Sequence, residues 1–257
     1  MHLSQKSMVS LLPDLTLYLP LMAAPLHYII NNNTFWLLPQ RALYWEEQKT
    51  MIVSDLHLGK TGHFRKEGIA VPQGVYKDDL HRLFHIIQQF KPAQLIIAGD
   101  MFHSKMNKEV DLFARWRKDV SQLHIHLVKG NHDILEDGHY AHADIQIKDS
   151  SMQIGGFCFV HNMEDLNNGK PNIDSEASNS VNKVKGKHYF FSGHIHPGIV
   201  LKTGSRQSLR FPCYYFSSSY AVLPAFSAFT GLYTINPKKN EAVFAIVNNA
   251  VIRMDKN

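Results

Sequence analysis

Only two cysteines, Cys158 and Cys213, occur in the 257 residues. Two thiols do not make the disulfide framework of a small secreted domain. Both stand in apolar or aromatic runs, as buried thiols in a reducing cytosol do. Long hydrophobic runs are also missing, and none could cross a bilayer. The N-terminal stretch from Val9 to Pro25 is apolar, but Asp14, Pro13 and Pro20 interrupt it and it lacks a clear cationic n-region. That argues against a secretory signal and for a cytoplasmic protein. A third scarcity is local. Between Ala177 and Asn240 there is no acidic residue, while Lys183, Lys185, Lys187, Lys202, Arg206, Arg210, Lys238 and Lys239 supply eight positive charges. Taking those eight from the 27 basic residues leaves 19 against 22 acidic ones, so the net charge of +5 arises in this stretch. One-signed charge of this kind is the footprint of a polyanion partner such as a phosphate backbone. A set of solvated strands with Lys on their outer faces gives the same count, so the two readings stand side by side.

What is present is an ordinary globular composition, 44% hydrophobic and 19% charged, on a chain long enough to bury one sizeable core. Five short motifs follow one another in order: Asp55-Leu56-His57, Gly99-Asp100, Gly130-Asn131-His132-Asp133, His161, and Gly193-His194-Ile195-His196. Each ends an apolar run: Met51 to Val53, Leu95 to Ile97, Ile125 to Val128, Phe157 to Val160, and Tyr189 to Phe191. Such runs stopping abruptly at Asp, Gly or His read as buried strands feeding a site. In open α/β sheets, ligands gather beyond the carboxyl ends of the strands, so the motifs are expected on one rim. They bring four imidazoles, two carboxylates, one amide oxygen and a spare histidine. Carboxylate and amide oxygens suit harder divalent ions such as Mn²⁺, and imidazole suits Fe and Zn as well. Two ions about 3.5–4 Å apart, sharing a carboxylate, form the clamp used on phosphate esters. A lone Asp-x-His or Gly-Asn-His would be a weak signal; the ordered set is a strong one.

Around the motifs, Tyr28 to Trp45 reads as strands with a turn at Asn31-Asn32-Asn33, and Gly59 to Gly74 as a loop rich in Gly and Lys/Arg. Leu80, Leu83, Phe84 and Ile87 mark a helix that ends before Pro92. Leu112, Phe113, Trp116 and Val120 mark a second, over Lys108 to Gln122. Alternating strand and helix predicts a parallel α/β core. From Tyr189 onward the helical period disappears, and Tyr214 to Phe216, Phe229 to Ile235 and Ala242 to Val247 read as strands of a second sheet. The polar stretch 162–187 lacks apolar periodicity and reads as a long loop.

The motif series resembles the calcineurin-like metallophosphoesterases. Further stretches narrow the resemblance: Arg41 to Trp45, Ser54 to Lys60, Phe64-Arg65 with Gly68 to Pro72, Gly99 to Ser104, Gly193 to Pro197, and Val222 to Phe226. Together they are similar to the bacterial ligase-associated DNA damage response metallophosphoesterases, from about Met22 to Ile235. The chain departs from that pattern in the length of the 162–187 loop. It departs again at His161-Asn162-Met163, where an acidic residue and Pro usually follow the His. Residues 1–21 precede the resemblance and are expected to be a poorly ordered extension to a single domain spanning 22–257.

The resemblance implies an α/β fold, a calcineurin-like four-layer α/β/β/α sandwich with two packed β-sheets flanked by helices. It assigns Asp55, His57, Asp100 and His196 to one metal, with Asp100 bridging to a second metal held by Asn131, His161 and His194. Mn²⁺ is the favoured ion, with Fe or Zn as alternatives. A water between two cations loses its proton near neutral pH and can attack phosphorus without a protein base. His132, beside a ligand but outside the set, would protonate the leaving oxygen. Asp133 would orient it or hold the strand end. Lys60, Arg65 and His103 are candidates for substrate contact, Arg65 through its two-oxygen fork; solvated loop positions for the first two and packing for His103 are the plainer alternatives. The implied activity is a phosphodiesterase acting on DNA in repair, alongside an ATP-dependent DNA ligase, a helicase and an exonuclease. A small-molecule phosphodiesterase or pyrophosphatase acting on a nucleotide or lipid precursor would share every metal motif. A non-catalytic scaffold would be expected to have lost some of them.

Overall fold

The structure is a computed structural model and describes residues 26–66, 68, 75–103, 108–164, 188–202 and 208–254; within these, the side chains of residues 63, 65, 66, 75, 76, 108–110 and 202 are not described. The expected extension 1–21 and all but Asn162 to Glu164 of the polar stretch 162–187 lie outside these residues.

The first sheet has seven strands in sequence order: β1 (Leu26–Ile30), β2 (Asn33–Leu38), β3 (Ala42–Trp45), β4 (Thr50–Val53), β5 (Gln94–Ala98), β6 (His124–Val128) and β7 (Ile145–Lys148). Strands β1 to β4 form an antiparallel meander. Asn31 and Asn32 turn the first hairpin with φ of 48° and 59°, the left-handed pair that a tight two-residue turn demands. From β4 to β7 the pairing is parallel. The crossovers carry α1 (Lys60–Lys66) and α2 (Val75–Phe90), then α3 (Lys108–Asp119), then α4 (Asp137–His142).

The second sheet contains β8 (Ser151–Ile154), β9 (Phe157–Val160), β10 (Tyr189–Ser192), β11 (Pro197–Lys202), β12 (Ser208–Phe216), β13 (Tyr220–Val222), β14 (Tyr233–Thr234), β15 (Ala242–Val247) and β16 (Ala250–Met254). Its path runs β14-β11-β12-β13-β10-β9-β8, with β15 on β12 and β16 on β15. Here β9, β10 and β13 are mutually parallel.

Alternation explains why the central strands read as unbroken apolar runs: both faces are covered. Met51, Val53, Leu95, Ile97, Ile125 and Leu127 pack under Leu80, Leu83 and Ile87 of α2, Phe113 of α3 and Tyr140 of α4. Ile52, Ile96 and Val128 face the other way. With Phe35 and Trp45 they meet Phe157, Phe159, Phe191, Tyr214, Phe216 and Phe244 of the second sheet. Phe159 and Phe191 stack at 5.5 Å, and Phe35 meets Phe191 across the layer at 5.1 Å. The α/β architecture of two packed sheets that the resemblance implies is therefore present. The helices that contribute to its packed layers, α2, α3 and α4, flank the first sheet.

Two local expectations are corrected. Gly59 to Gly74 is not simply a loop, because Lys60–Lys66 forms a one-to-two-turn helix. Gly62 obscures its period, and tertiary contacts hold it: Phe64 lies 5.6 Å from the Phe229 ring and parallel to His103 at 6.5 Å. In the stretch expected as a strand from Phe229 to Ile235, only Tyr233–Thr234 pairs, two residues long.

Candidate metal centre

All five motifs leave the carboxyl ends of parallel strands, β4, β5 and β6 in one sheet and β9 and β10 in the other. The β4 and β5 loops continue to pair past the strand ends. The Asp55 N–H donates to Gly99 O at 3.0 Å, His57 N–H to Asp100 O at 2.9 Å, and Leu58 N–H to Met101 O at 2.9 Å. That ladder sets Asp55, His57 and Asp100 side by side. Asp55, His57, Asp100, His194 and His196 all adopt left-handed backbone, with φ between 48° and 71°. Asp and His tolerate this region better than most residues, yet it costs on the order of 1 kcal/mol or more each and persists only where surroundings impose it.

The side chains converge in two buried groups that share Asp55. One joins Asp55, His57 and His196; the other joins Asp55, Asp100 and His161. In the first, His57 Nε2 faces His196 Nε2 at 3.3 Å, and His196 Nε2 lies 3.4 Å from Asp55 Oδ1. In the second, His161 Nε2 lies 3.0 Å from Asn131 Oδ1, 3.0 Å from His194 Nδ1 and 3.5 Å from Asp100 Oδ2. His161 Nδ1 points at the Ala98 carbonyl, 3.3 Å away, and a carbonyl can only accept. The ring proton therefore sits on Nδ1, and Nε2 presents a lone pair to an amide oxygen and a carboxylate oxygen. Acceptors converging without a proton between them are satisfied by a cation. The donor set of that group fits a divalent ion, and the carboxylate and two imidazoles of the first group are ligand types such an ion takes. Asp100 stands between them: its Oδ1 accepts the His132 N–H at 2.9 Å, while Oδ2 faces His161 at 3.5 Å and His57 Nε2 at 3.9 Å.

Two glycines make this crowding possible. A Cβ on Gly99, which also has φ +84°, would overlap the His161 ring, and one on Gly130 would overlap Asp100 Oδ1. Asp133 ties the same loops together. Its Oδ1 accepts the Phe102 N–H and its Oδ2 the Gly130 N–H, both at 2.9 Å. On the other flank, Phe226 N–H donates to Ser54 O at 2.8 Å and Ser227 N–H to Asp55 O at 3.1 Å, which braces the strained Asp55. That segment is itself clamped. Arg41 donates to Ser227 O at 2.8 Å, Arg82 donates to Phe226 O and covers its ring, and Asp79 accepts the Ala228 N–H while pairing with Arg82 at 2.8 Å.

A family model described as the calcineurin-like phosphoesterase superfamily domain matches residues 49–209. The chain belongs to that superfamily. Among solved structures, the Pseudomonas putida nuclease MPE is similar over 90% of this chain and 100% of its own, at 26% identity and a TM-score of 0.70. Yfce, a phosphoesterase from E. coli, covers 79% of this chain and 96% of its own at 13% identity and a TM-score of 0.38. A predicted phosphoesterase from Streptococcus pneumoniae covers 76% and 80% at 14% identity and 0.31. A search of curated proteins finds no match.

In this phosphoesterase the seven residues singled out for metal binding, Asp55, His57, Asp100, Asn131, His161, His194 and His196, meet at the rim. His132 lies beside them, its ring 5.5 Å from His57 and 4.4 Å from His103. His103 Nδ1 faces His57 Nδ1 at 3.3 Å, so it stands behind a ring of the site rather than packing in the core. Burial pushes His57 down to about 2, with Lys60, His196, His103 and His132 adding to the effect; it is a neutral imidazole across the physiological range. Lys60 is lowered by burial and opposed by Asp100 and Asp55, which puts its ammonium in the field of both carboxylates. The Arg65 side chain lies outside the described residues. Of the basic stretch, Arg210, Lys238 and Lys239 are exposed, while Lys183, Lys185, Lys187, Arg206 and the side chain of Lys202 lie outside. Reading the sequence missed the Arg41–Asp79–Arg82 clamp. Its signal was present in the Arg41 to Trp45 and Val222 to Phe226 stretches, whose partnership only the fold reveals.

Proposed function

We propose that this phosphoesterase is a two-metal phosphodiesterase that cleaves nucleic acid, with DNA as its substrate. The observation that carries the reading is the convergence of two carboxylates, an amide oxygen and four imidazoles on one rim, with the His161 Nε2 lone pair facing Asn131 Oδ1 and Asp100 Oδ2. Asp55, His57, Asp100 and His196 would hold one ion, and Asp100, Asn131, His161 and His194 the other; Mn²⁺ suits this mixed oxygen and nitrogen set. When bound, the ions would neutralise the phosphoryl oxygens and make a water acidic enough to attack phosphorus. Held to an ion through Nε2, His57 would carry its proton on Nδ1, placed to donate to His103 Nδ1 at 3.3 Å. His103 would then fix the ring's tautomer and aim. His132 touches the same pocket without belonging to either buried group, and its imidazole would give a proton to the leaving oxygen. Lys60 would attract the substrate phosphate, with Arg65 a second phosphate contact.

The likeness to a nuclease over nearly the whole chain, and the acid-free basic stretch from Ala177 to Asn240, favour a nucleic acid over a small diester. A place in DNA repair, with a ligase, helicase and exonuclease, follows from the subfamily resemblance. The test is hydrolysis of a single-stranded DNA oligonucleotide with Mn²⁺ at two salt concentrations. The proposal expects cleavage that chelator abolishes and that weakens steeply with salt. Turnover of small diesters alone, with no cleavage of DNA, would reject the substrate assignment.

A further inference from the structure

A cavity of about 510 Å³ opens beside the metal centre on the side of the second sheet. Its wall is continuous with the site: Ser192, Gly193 and Ile195 line it while His194 and His196 face the metal groups, and Asn162 lines it next to His161. Three tyrosines from three different strands meet there: Tyr215 of β12, Tyr220 of β13 and Tyr233 of β14. Tyr233 is anchored to the site by its backbone, whose N–H donates to His196 O at 3.0 Å, yet the residue is 65% exposed. The Tyr215 and Tyr220 rings lie 5.8 Å apart, and the Tyr215 hydroxyl is hydrogen bonded to Glu241 and Tyr220, which fixes both rings. Val222 and Ile235 supply apolar surface, and Asn162 and Asn236 supply carboxamides.

The lining defines its ligand by charge. Among the described residues that line the cavity there is no cationic side chain, and Glu164 stands on its wall. The described lining therefore favours an uncharged group over a phosphate, whose partners stand at the metal centre. What fits is the uncharged, flat part of the same molecule, with a π-face for the tyrosines and polar edges for the carboxamides. We propose that this cavity is a nucleobase subsite, taking an unstacked base of the nucleotide whose phosphate lies at the metal centre. The inference rests on the phosphodiesterase reading above and specifies how the substrate is held. Aromatic stacking of a base is sequence-tolerant, so the subsite would recognise single-stranded or frayed ends without reading sequence. The base could arrive on a strand or on a free nucleotide, and the stacking chemistry is the same.

The test uses the Mn²⁺-loaded full chain and calorimetric titration with deoxyadenosine monophosphate, deoxyribose 5-phosphate and inorganic phosphate. The proposal expects the base-bearing ligand to bind about tenfold more tightly than deoxyribose 5-phosphate. Tyr233→Ala should remove that advantage and Tyr233→Phe keep it, with inorganic phosphate affinity unchanged in both. Tyr233 is mostly exposed, so a melting curve matching wild type is expected and separates lost stacking from lost folding. Equal binding of the base-bearing and base-less ligands by wild type overturns the subsite, as does an unchanged advantage in both Tyr233→Ala and Tyr220→Ala. An oligonucleotide with one abasic residue distinguishes the sources: slower cleavage at the abasic position means the base arrives on a strand. If no oligonucleotide is cut, the nucleic-acid reading fails, while the mononucleotide titration still judges the subsite.

Discussion

Replacing Asp133 by Ala should destabilise the metal-free protein by about 2–4 kcal/mol and weaken its hold on metal. The carboxylate is 7% exposed and accepts two main-chain N–H groups, from Phe102 and Gly130, both at 2.9 Å. An orphaned buried donor costs about 1–3 kcal/mol, and the part-buried Gly130 donor counts at the low end of that range. For a chain of this size, 1 kcal/mol moves the melting temperature by roughly 2–4 °C, so the expected fall is about 5–15 °C. The metal effect follows from position. Gly130 lies so close to Asp100 that a Cβ would overlap its Oδ1, and the β5 loop that Phe102 belongs to carries Asp100 itself, so loosening the strap lets Oδ2 drift from the two histidines it faces. Thermal melts after exhaustive chelation, followed by Mn²⁺ titration, separate the two effects. Asp133→Asn provides the pH control. Burial pushes Asp133 up to about 6 from 3.8, so between those values the folded state holds the extra proton. The stability this contributes is fully present below about pH 4 and is lost as pH rises through 6. The advantage of wild type over Asp133→Asn should shrink across that window. An Ala variant melting within 2 °C of wild type, with equal Mn²⁺ affinity, would refute the strap.

Three further outcomes follow from the same geometry. His132→Ala should retain both ions yet slow hydrolysis of diesters with poor leaving groups by roughly 10²–10⁴-fold, with a smaller loss on activated ones; a missing ion in metal analysis would show that His132 is a ligand. Asp100→Asn should lower metal content and turnover more than His57→Asn, because Asp100 stands between both groups and His57 in one. Arg41→Ala removes a clamp on Ser227 O and should weaken the brace on Asp55, read as a lower melting temperature of the metal-free protein and reduced affinity for one ion.

Much of this centre was legible because each motif interrupts a continuous apolar run. Ile52, Ile96 and Val128 face the second sheet while their neighbours face helices, so the strands had to be buried on both sides and had to end where Asp, Gly or His begins. The glycines next to Asp100, Asn131 and His194 were equally visible, although only the fold shows that Gly99 makes room for His161. What sequence could not supply were contacts between distant segments. Arg41 and Ser227 stand 186 positions apart, and α1 is held by Phe229 and His103 rather than by its own period. The short pairing of Tyr233–Thr234 has the same origin: the two residues take their strand geometry from β11, not from an alternating run of their own.

The central claim is that one chain holds two catalytic ions through these seven side chains. Its most direct measurement is metal content against activity: the protein stripped by chelator, reloaded with Mn²⁺ and freed of excess, with metal counted by elemental analysis and diester hydrolysis followed in parallel. The account predicts about two ions per chain at full activity, with none of the activity surviving their removal and both ions reduced in Asp100→Asn. Full hydrolysis by verified metal-free protein, or full occupancy of both sites in Asp100→Asn, would contradict it.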